Sequence, residues 1–292
     1  MYNRIIEENQ AWIDDMFAKI DKKLSQVAVR SRDKIPFKTI DGVHDTHVDE
    51  NPLGITWWTN GFWGGLMWLM YEATGNEEYL TTAKNAERIM DKAFTQFDLL
   101  HHDVGFMWHI MSGASYRLTG DKESRTRALY AASILASRYN MSGGFIRAWN
   151  GAHNEGWSII DCLMNIPLLY WASEETGDSR FRQIAIAHAD MAMRHHVRPD
   201  GSTAHICSHD VATGELLETF GGQGYVEGSC WTRGLGWGVY GFILSYIHTG
   251  KQEYLDTAKN LAHYYIANAA VDDYIPRVDY RSPYGDGKFD AT

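Results

Sequence analysis

Cysteine is scarce in this chain: Cys162, Cys207 and Cys230 are the only three, odd in number and without a CxxC pair. They offer no disulfide framework and read as reduced thiols of a cytoplasmic protein. Proline is equally sparse, with six in 292 residues, and there is no Ser/Gly-rich linker. Nothing therefore marks a domain boundary, and a single domain over 1–292 is expected. No run approaches 18 uninterrupted apolar residues, which excludes a membrane-spanning helix. The opening MYNRIIEENQAWIDDMF carries charges every few residues and lacks the apolar stretch of a signal peptide. The formal charge is -10 with no basic block, so nucleic acid and acidic membrane surfaces are poor partners.

What the chain has in plenty is aromatic surface: 11 Trp, 16 Tyr and 11 Phe. Trp stands at about twice its average share. A helical core packed with large rings would use many of them, and a carbohydrate site needs flat apolar faces beside polar groups. Composition does not separate these uses.

A repeat organises the sequence. YEATGNEEYLTTAKN from Tyr71, YRLTGDKESRTRALY from Tyr116, SEETGDSRFRQIAIA from Ser173 and YIHTGKQEYLDTAKN from Tyr246 share Thr-Gly, a polar cluster and a helix start. The glycine suits the left-handed position that ends a helix, and the polar residues suit the first turn of the next. Periodicity predicts helices at about 4–29, 60–74, 77–93, 104–119, 121–139, 157–176, 178–195, 230–248 and 251–269. Only 200–225 reads as strand and turn, a hairpin turning near Thr213-Gly214. This is an all-α array of helical hairpins. Its longer loops recur on alternate connections and carry most of the non-helical Trp, His and acidic residues, as expected of a shared functional rim.

Two aspartates stand out. Asp103, in LLHHDVGFMWH, precedes a helix and reads either as a simple N-cap or as a functional acid. Asp161, in GWSIIDCLMNIPLLYW, sits between apolar neighbours in an expected helix, where poor solvation favours the protonated form. A carboxyl of that kind beside a second carboxylate suits general acid catalysis, whereas a core Asp satisfied by a partner is the plain alternative. Arg233, before Gly-Leu-Gly-Trp at a helix start, is placed either to receive a carboxylate or to pair with a structural acid. His44 to Glu50 (HDTHVDE) contains ligand-type residues without a common zinc spacing, so no metal is expected. His195-His196 at a helix end reads as structural.

The ordered segments WTNGFWGG, HHDVGF, GGFIRAWN, IIDCLMN, GSTAHI, GQGY and WTRGLGWGVYG resemble glycoside hydrolase family 88, from about residue 50 onward. The resemblance implies an (α/α)6 barrel, here expected to lack its last helices because the tail DYRSPYGDGKFDAT stops early. It implies that Asp161 is the general acid/base and Asp103 its partner, with His102 alongside. It further implies that Trp58 and Trp149 stack on sugar, and that His205, Gln223, Arg233 and Trp237 surround an unsaturated ring. No cofactor is implied.

The activity implied is release of a 4,5-unsaturated uronic acid from the non-reducing end of lyase-generated oligosaccharides. Asp161 would protonate C4 of the vinyl ether and activate water for C5, with an ionised Asp103 nearby. Two alternatives share the barrel: an unsaturated rhamnogalacturonyl hydrolase of family 105, and a sugar epimerase working through histidines. HHDVGF with its paired aspartates and GGFIRAWN favour family 88. The parent polysaccharide and the oligomeric state are not legible.

Overall fold

The computed structural model describes residues 2–45 and 54–283. Its contacts divide the chain into two compact units, Met1–Phe97 with Ile110–Arg125, and Asp98–His109 with Thr126–Thr292.

The first unit contains α1 (Tyr2–Arg30), α2 (Asn60–Thr74) and α3 (Glu77–Met90). Helix α1 is anchored on α3 where Tyr79 donates its hydroxyl to Asp21 Oδ1 (2.7 Å), and a Glu78 carboxylate receives Arg32. Met67, Trp68, Tyr79, Ala83, Ala86 and Met90 fill the space between the helices. The expected 104–119 helix is α4 (Val104–Trp108), a π turn (His109–Gly113) and α5 (Ala114–Thr119). Helix α6 (Lys122–Ser137) then leads into the second unit.

That unit is built on the pairs α7 (Pro167–Thr176) with α8 (Ser179–His195) and α9 (Thr232–Thr249) with α10 (Gln252–Ala269). Strands β5 (Trp157–Ile159), β6 (Ile206–His209) and β7 (Leu216–Phe220) form an antiparallel sheet in the order β5-β6-β7. The β6–β7 turn falls as expected at Gly214, which has φ 80°.

The four Thr-Gly corners have one mechanism. Thr74, Thr119, Thr176 and Thr249 each donate a hydroxyl to the carbonyl four residues back, at 2.6–2.7 Å. Each also accepts the N–H two residues ahead, at 3.2–3.3 Å. The intervening Gly75, Gly120, Gly177 and Gly250 take φ of 69–74°, which residues with a Cβ rarely adopt. Asn76 and Asp178 then cap the following helices through Glu78 N–H and Arg180 N–H.

Three readings need correction. The 157–176 segment is not one helix: Trp157–Ile159 pairs with β6, Ile160–Met164 is a 3₁₀ turn, and α7 begins at Pro167. Backbone pairing takes the first residues into a sheet, and proline suits the first helical position because it lacks an N–H to leave unpaired. The 77–93 helix ends at Met90 and tightens into a 3₁₀ turn, Asp91–Thr95. Strand also occurs outside 200–225, in β1 (Thr39–Ile40) with β2 (Val43–His44) and β3 (Tyr139–Asn140) with β4 (Phe145–Ile146).

Candidate active site

The second unit brings Asp103 and Asp161 together from two elements. Asp103 stands at the N-cap position of α4, yet its side chain makes no capping bond. The carboxyl turns instead to Asn165, whose Nδ2–H donates to Asp103 Oδ1 at 3.2 Å. Asp161 lies on the 3₁₀ turn, and Asn165 Nδ2–H also donates to its backbone carbonyl at 3.1 Å. A third bond, Phe106 N–H to Asn165 Oδ1 at 2.7 Å, ties α4 to the same amide. Such close approach requires Gly105, since a Cβ there would lie 2.5 Å from Asn165 Cα. Helix α9 reaches the turn in the same way: a Cβ on Gly241 would lie 2.5 Å from Leu163 Cβ. The glycines of HHDVGF and GLGWGVYG thus permit the packing that positions the acids.

The two carboxyls differ in exposure. The Asp103 side chain is 11% exposed and that of Asp161 is 17% exposed. Burial, followed by the charge of Asp161, pushes the Asp103 carboxyl well above its ordinary range, and the Asn165 hydrogen bond only partly offsets this. These surroundings favour the protonated form of Asp103 and so oppose the ionised state expected of it. Among the described residues Asp161 Oδ2 has no hydrogen-bond partner, and it faces His205 Nε2 at 3.6 Å. Gln223 N–H donates to His205 Nδ1 (3.0 Å), so in the neutral ring the hydrogen sits on Nε2, on the side of Asp161.

Other expected residues of the second unit make contacts of their own. Arg233 Nη2–H donates to Gln223 Oε1 at 2.9 Å, and its guanidinium lies 4.6 Å from the Trp231 ring, which in turn packs 4.4 Å from His205. Trp237 meets Phe106 at 5.2 Å between ring centroids. Trp149 packs at 6.0 Å on Trp157, over a buried cluster of Ala148, Ile159 and Ile206. Its loop is stapled by Arg138, which donates to the carbonyls of Arg147 and Ala148, and by Arg147, which donates to that of Trp149. His102 is fully buried with Nε2 3.4 Å from Asp103 Oδ1, and burial holds it well below the usual histidine range. Trp58 belongs to the first unit, where it meets Phe62 edge-on at 5.7 Å.

Sequence reasoning gave no role to Asn165, Trp231 or His101. The signal for Asn165 was present: it lies four residues after Asp161 inside IIDCLMN. His101, His102 and Asp103 also place ligand-type atoms within 4.8 Å of one another, the one such group among the described residues. Of HDTHVDE, only His44 and Asp45 are described, and the candidate ligands at 46–50 lie outside the described residues. Ser31 Oγ bonds His44 Nδ1, and Asp45 accepts Phe37 N–H, so both side chains serve the local turn. A groove of about 410 Å³ runs along α9 and α10. It shares Arg233 and Trp237 with the site, but its walls are apolar and include no carboxylate.

The second unit is thus a set of helical hairpins that carries a buried and a half-buried carboxyl, with Trp, His, Gln and Arg side chains in the same unit. The profile of Glycosyl Hydrolase Family 88 matches residues 27–265, and the chain belongs to that family. It is 38% identical over 239 residues, 80% of this chain, to the unsaturated glucuronyl hydrolase of Bacillus sp. (strain GL1). To the unsaturated chondroitin disaccharide hydrolase of Streptococcus pyogenes serotype M1 it is 40% identical over 214 residues, 72% of this chain. It spans 62% and 54% of the lengths of these two relatives. The crystal structure of the Bacillus sp. GL1 enzyme superposes with a TM-score of 0.80 at 34% identity, covering 90% of this chain and 71% of that one. The all-α reading holds. Among the described residues, no helix is long and apolar enough to cross a membrane.

Proposed function

We propose that this chain carries the catalytic centre of a hydrolase that releases a 4,5-unsaturated uronic acid from the non-reducing end of lyase-generated oligosaccharides. The observation that carries the reading is the Asp103–Asn165–Asp161 linkage, with Asp161 turned toward His205. Family membership and the names of the two relatives support the substrate class.

The carboxyl pair supplies one transferable proton. Asp161, its more exposed member, delivers that proton to C4 of the vinyl ether. It then takes a proton from water as the hydroxide oxygen bonds to C5, which restores the pair. The resulting hemiketal opens and releases the neighbouring sugar. His205 Nε2–H, Gln223 and Arg233 supply donors for the substrate's oxygens, and Trp149 and Trp237 offer flat faces for its rings. The chemistry uses two carboxyls, as ordinary glycosidases do, but acts on the double bond rather than by displacement at the anomeric carbon. No organic cofactor or metal takes part in these steps. The cytoplasm suits three buried, unpaired thiols.

The test is the ultraviolet absorbance of the C4=C5 bond. Incubation with an unsaturated chondroitin disaccharide is expected to abolish it. An epimerase would leave it intact, and preference for an unsaturated rhamnogalacturonan disaccharide would favour the family 105 alternative.

A further inference from the structure

We propose that Asn165 is a positioning residue that holds the two aspartates in register, one side-chain amide tying the Asp103 carboxyl to the backbone of Asp161. This deepens the functional reading above and rests on it for the roles of the aspartates.

The orientation of the amide is fixed by its partners. Asn165 is completely buried, and Phe106 N–H can only donate, so the atom it meets at 2.7 Å is the amide oxygen. The amide nitrogen must then face the other way, toward Asp103 Oδ1 at 3.2 Å and Asp161 O at 3.1 Å. Both of its hydrogens are used, one on each aspartate. Neither helix propensity nor packing demands an amide at this position, because a leucine would fill a buried site of similar size without bringing polar atoms to satisfy. What an amide supplies, and an apolar residue does not, is a rigid three-way joint between α4, the Asp103 carboxyl and the turn that bears Asp161.

The joint also has an electrical consequence. The groups acting on Asp103 are Asp161 and Cys162 from the 3₁₀ turn, His101 and His102 from its own loop, and Arg138 from beyond α6. Burial and the charge of Asp161 favour its protonated form, whereas the amide donor of Asn165 and the charge of Arg138 favour the ionised form. Asn165 makes a direct hydrogen bond to the carboxyl among these opposing groups. Removing it shifts Asp103 further toward its protonated form, beside the carboxyl that meets substrate.

The test compares Asn165→Leu with the wild type, using an unsaturated disaccharide and, separately, ¹³C NMR of aspartate-labelled protein with the Asp103 signal assigned by its loss in Asp103→Asn. The expected result is a Tm decrease together with a kcat lower by ~10²-fold, the scale of a 1 Å misplacement, at little change in KM. Both limbs of the pH–rate profile and the Asp103 titration should move to higher pH. Asn165→Asp serves as the second variant should the leucine chain fail to fold. It keeps the acceptor for Phe106 N–H and adds a negative charge, so it should move the Asp103 titration in the same direction. A lower Tm with an unmoved profile and titration would make Asn165 merely structural and overturn the proposal. A wild type inactive on every unsaturated disaccharide would instead overturn the functional reading, while the NMR titration would still decide the role of Asn165.

Discussion

Gly105→Ala should damage this site more than it damages the fold. The added Cβ would lie 2.5 Å from Asn165 Cα, 2.6 Å from its backbone oxygen and 2.7 Å from Oδ1. Carbon atoms in contact normally sit about 3.5–4.0 Å apart, so α4 and the 3₁₀ turn must separate by roughly 1 Å. Two of the three obstructing atoms are backbone and cannot swing aside. Overpacking of this kind costs about 1–3 kcal/mol, and alanine returns up to about 1 kcal/mol through better helix propensity. A net loss on the order of 1 kcal/mol corresponds to a Tm decrease of about 2–4 °C in a unit of this size. The same separation stretches the Asn165 bonds to both aspartates, and a 1 Å misplacement costs ~10²-fold in rate. Calorimetry and the absorbance assay, run on one preparation, read the two effects. Wild-type turnover by a folded Gly105→Ala chain would refute the claim that this glycine sets the spacing of the acids.

Asp161→Asn preserves size but removes the transferable proton, and should lower kcat by about 10²–10⁴-fold with Tm nearly unchanged, as single-turnover and melting measurements would show. Asp103→Asn should also lower the rate and move the alkaline limb of the pH–rate profile to lower pH, because the pair loses a like charge; an unmoved limb would mean that the aspartates are not coupled. The same variant should be more stable than wild type at neutral pH: the Asp103 carboxyl is pushed up, so its contribution favours folding below the ordinary carboxylate range and is lost as pH rises through its folded value. Acid should loosen the sheet, since burial holds His188 and His196 down at about 3. Their contribution is complete above the ordinary histidine value and lost as pH falls from about 6.5 toward that range. His196 Nε2 meets Ser158 Oγ on β5 and its Nδ1 meets Ala204 O, so replacement by glutamine should flatten the fall of Tm with pH.

The parts of the fold that sequence revealed are those with local causes. Thr74-Gly75 and its three counterparts could be read because the threonine and glycine act within one turn, and the helix ends adjoining them fell within a residue of expectation. The 157–166 segment was misread because its apolar residues suit strand, turn and helix alike, and only pairing with Ile206–Ser208 chooses the strand. Asp161 was recognisable as an acid in apolar company, and Asp103 as an acid preceding a helix. Which of them is the more deeply buried was not, since that depends on α4, the 3₁₀ turn and Arg138 meeting in space. Asn165 went unassigned for the same reason: its hydrogen bonds to Asp103 and Phe106 span 62 and 59 residues.

The central claim, that the double bond and not the anomeric carbon is attacked, is tested most directly with two disaccharides identical except at C4–C5. The unsaturated one should be cleaved with loss of its ultraviolet absorbance, and cleavage should disappear in Asp161→Asn. Its saturated counterpart should remain intact at the same enzyme concentration, measured by release of the neighbouring sugar. Comparable cleavage of the saturated glucuronide would contradict hydration and return the two aspartates to ordinary displacement chemistry.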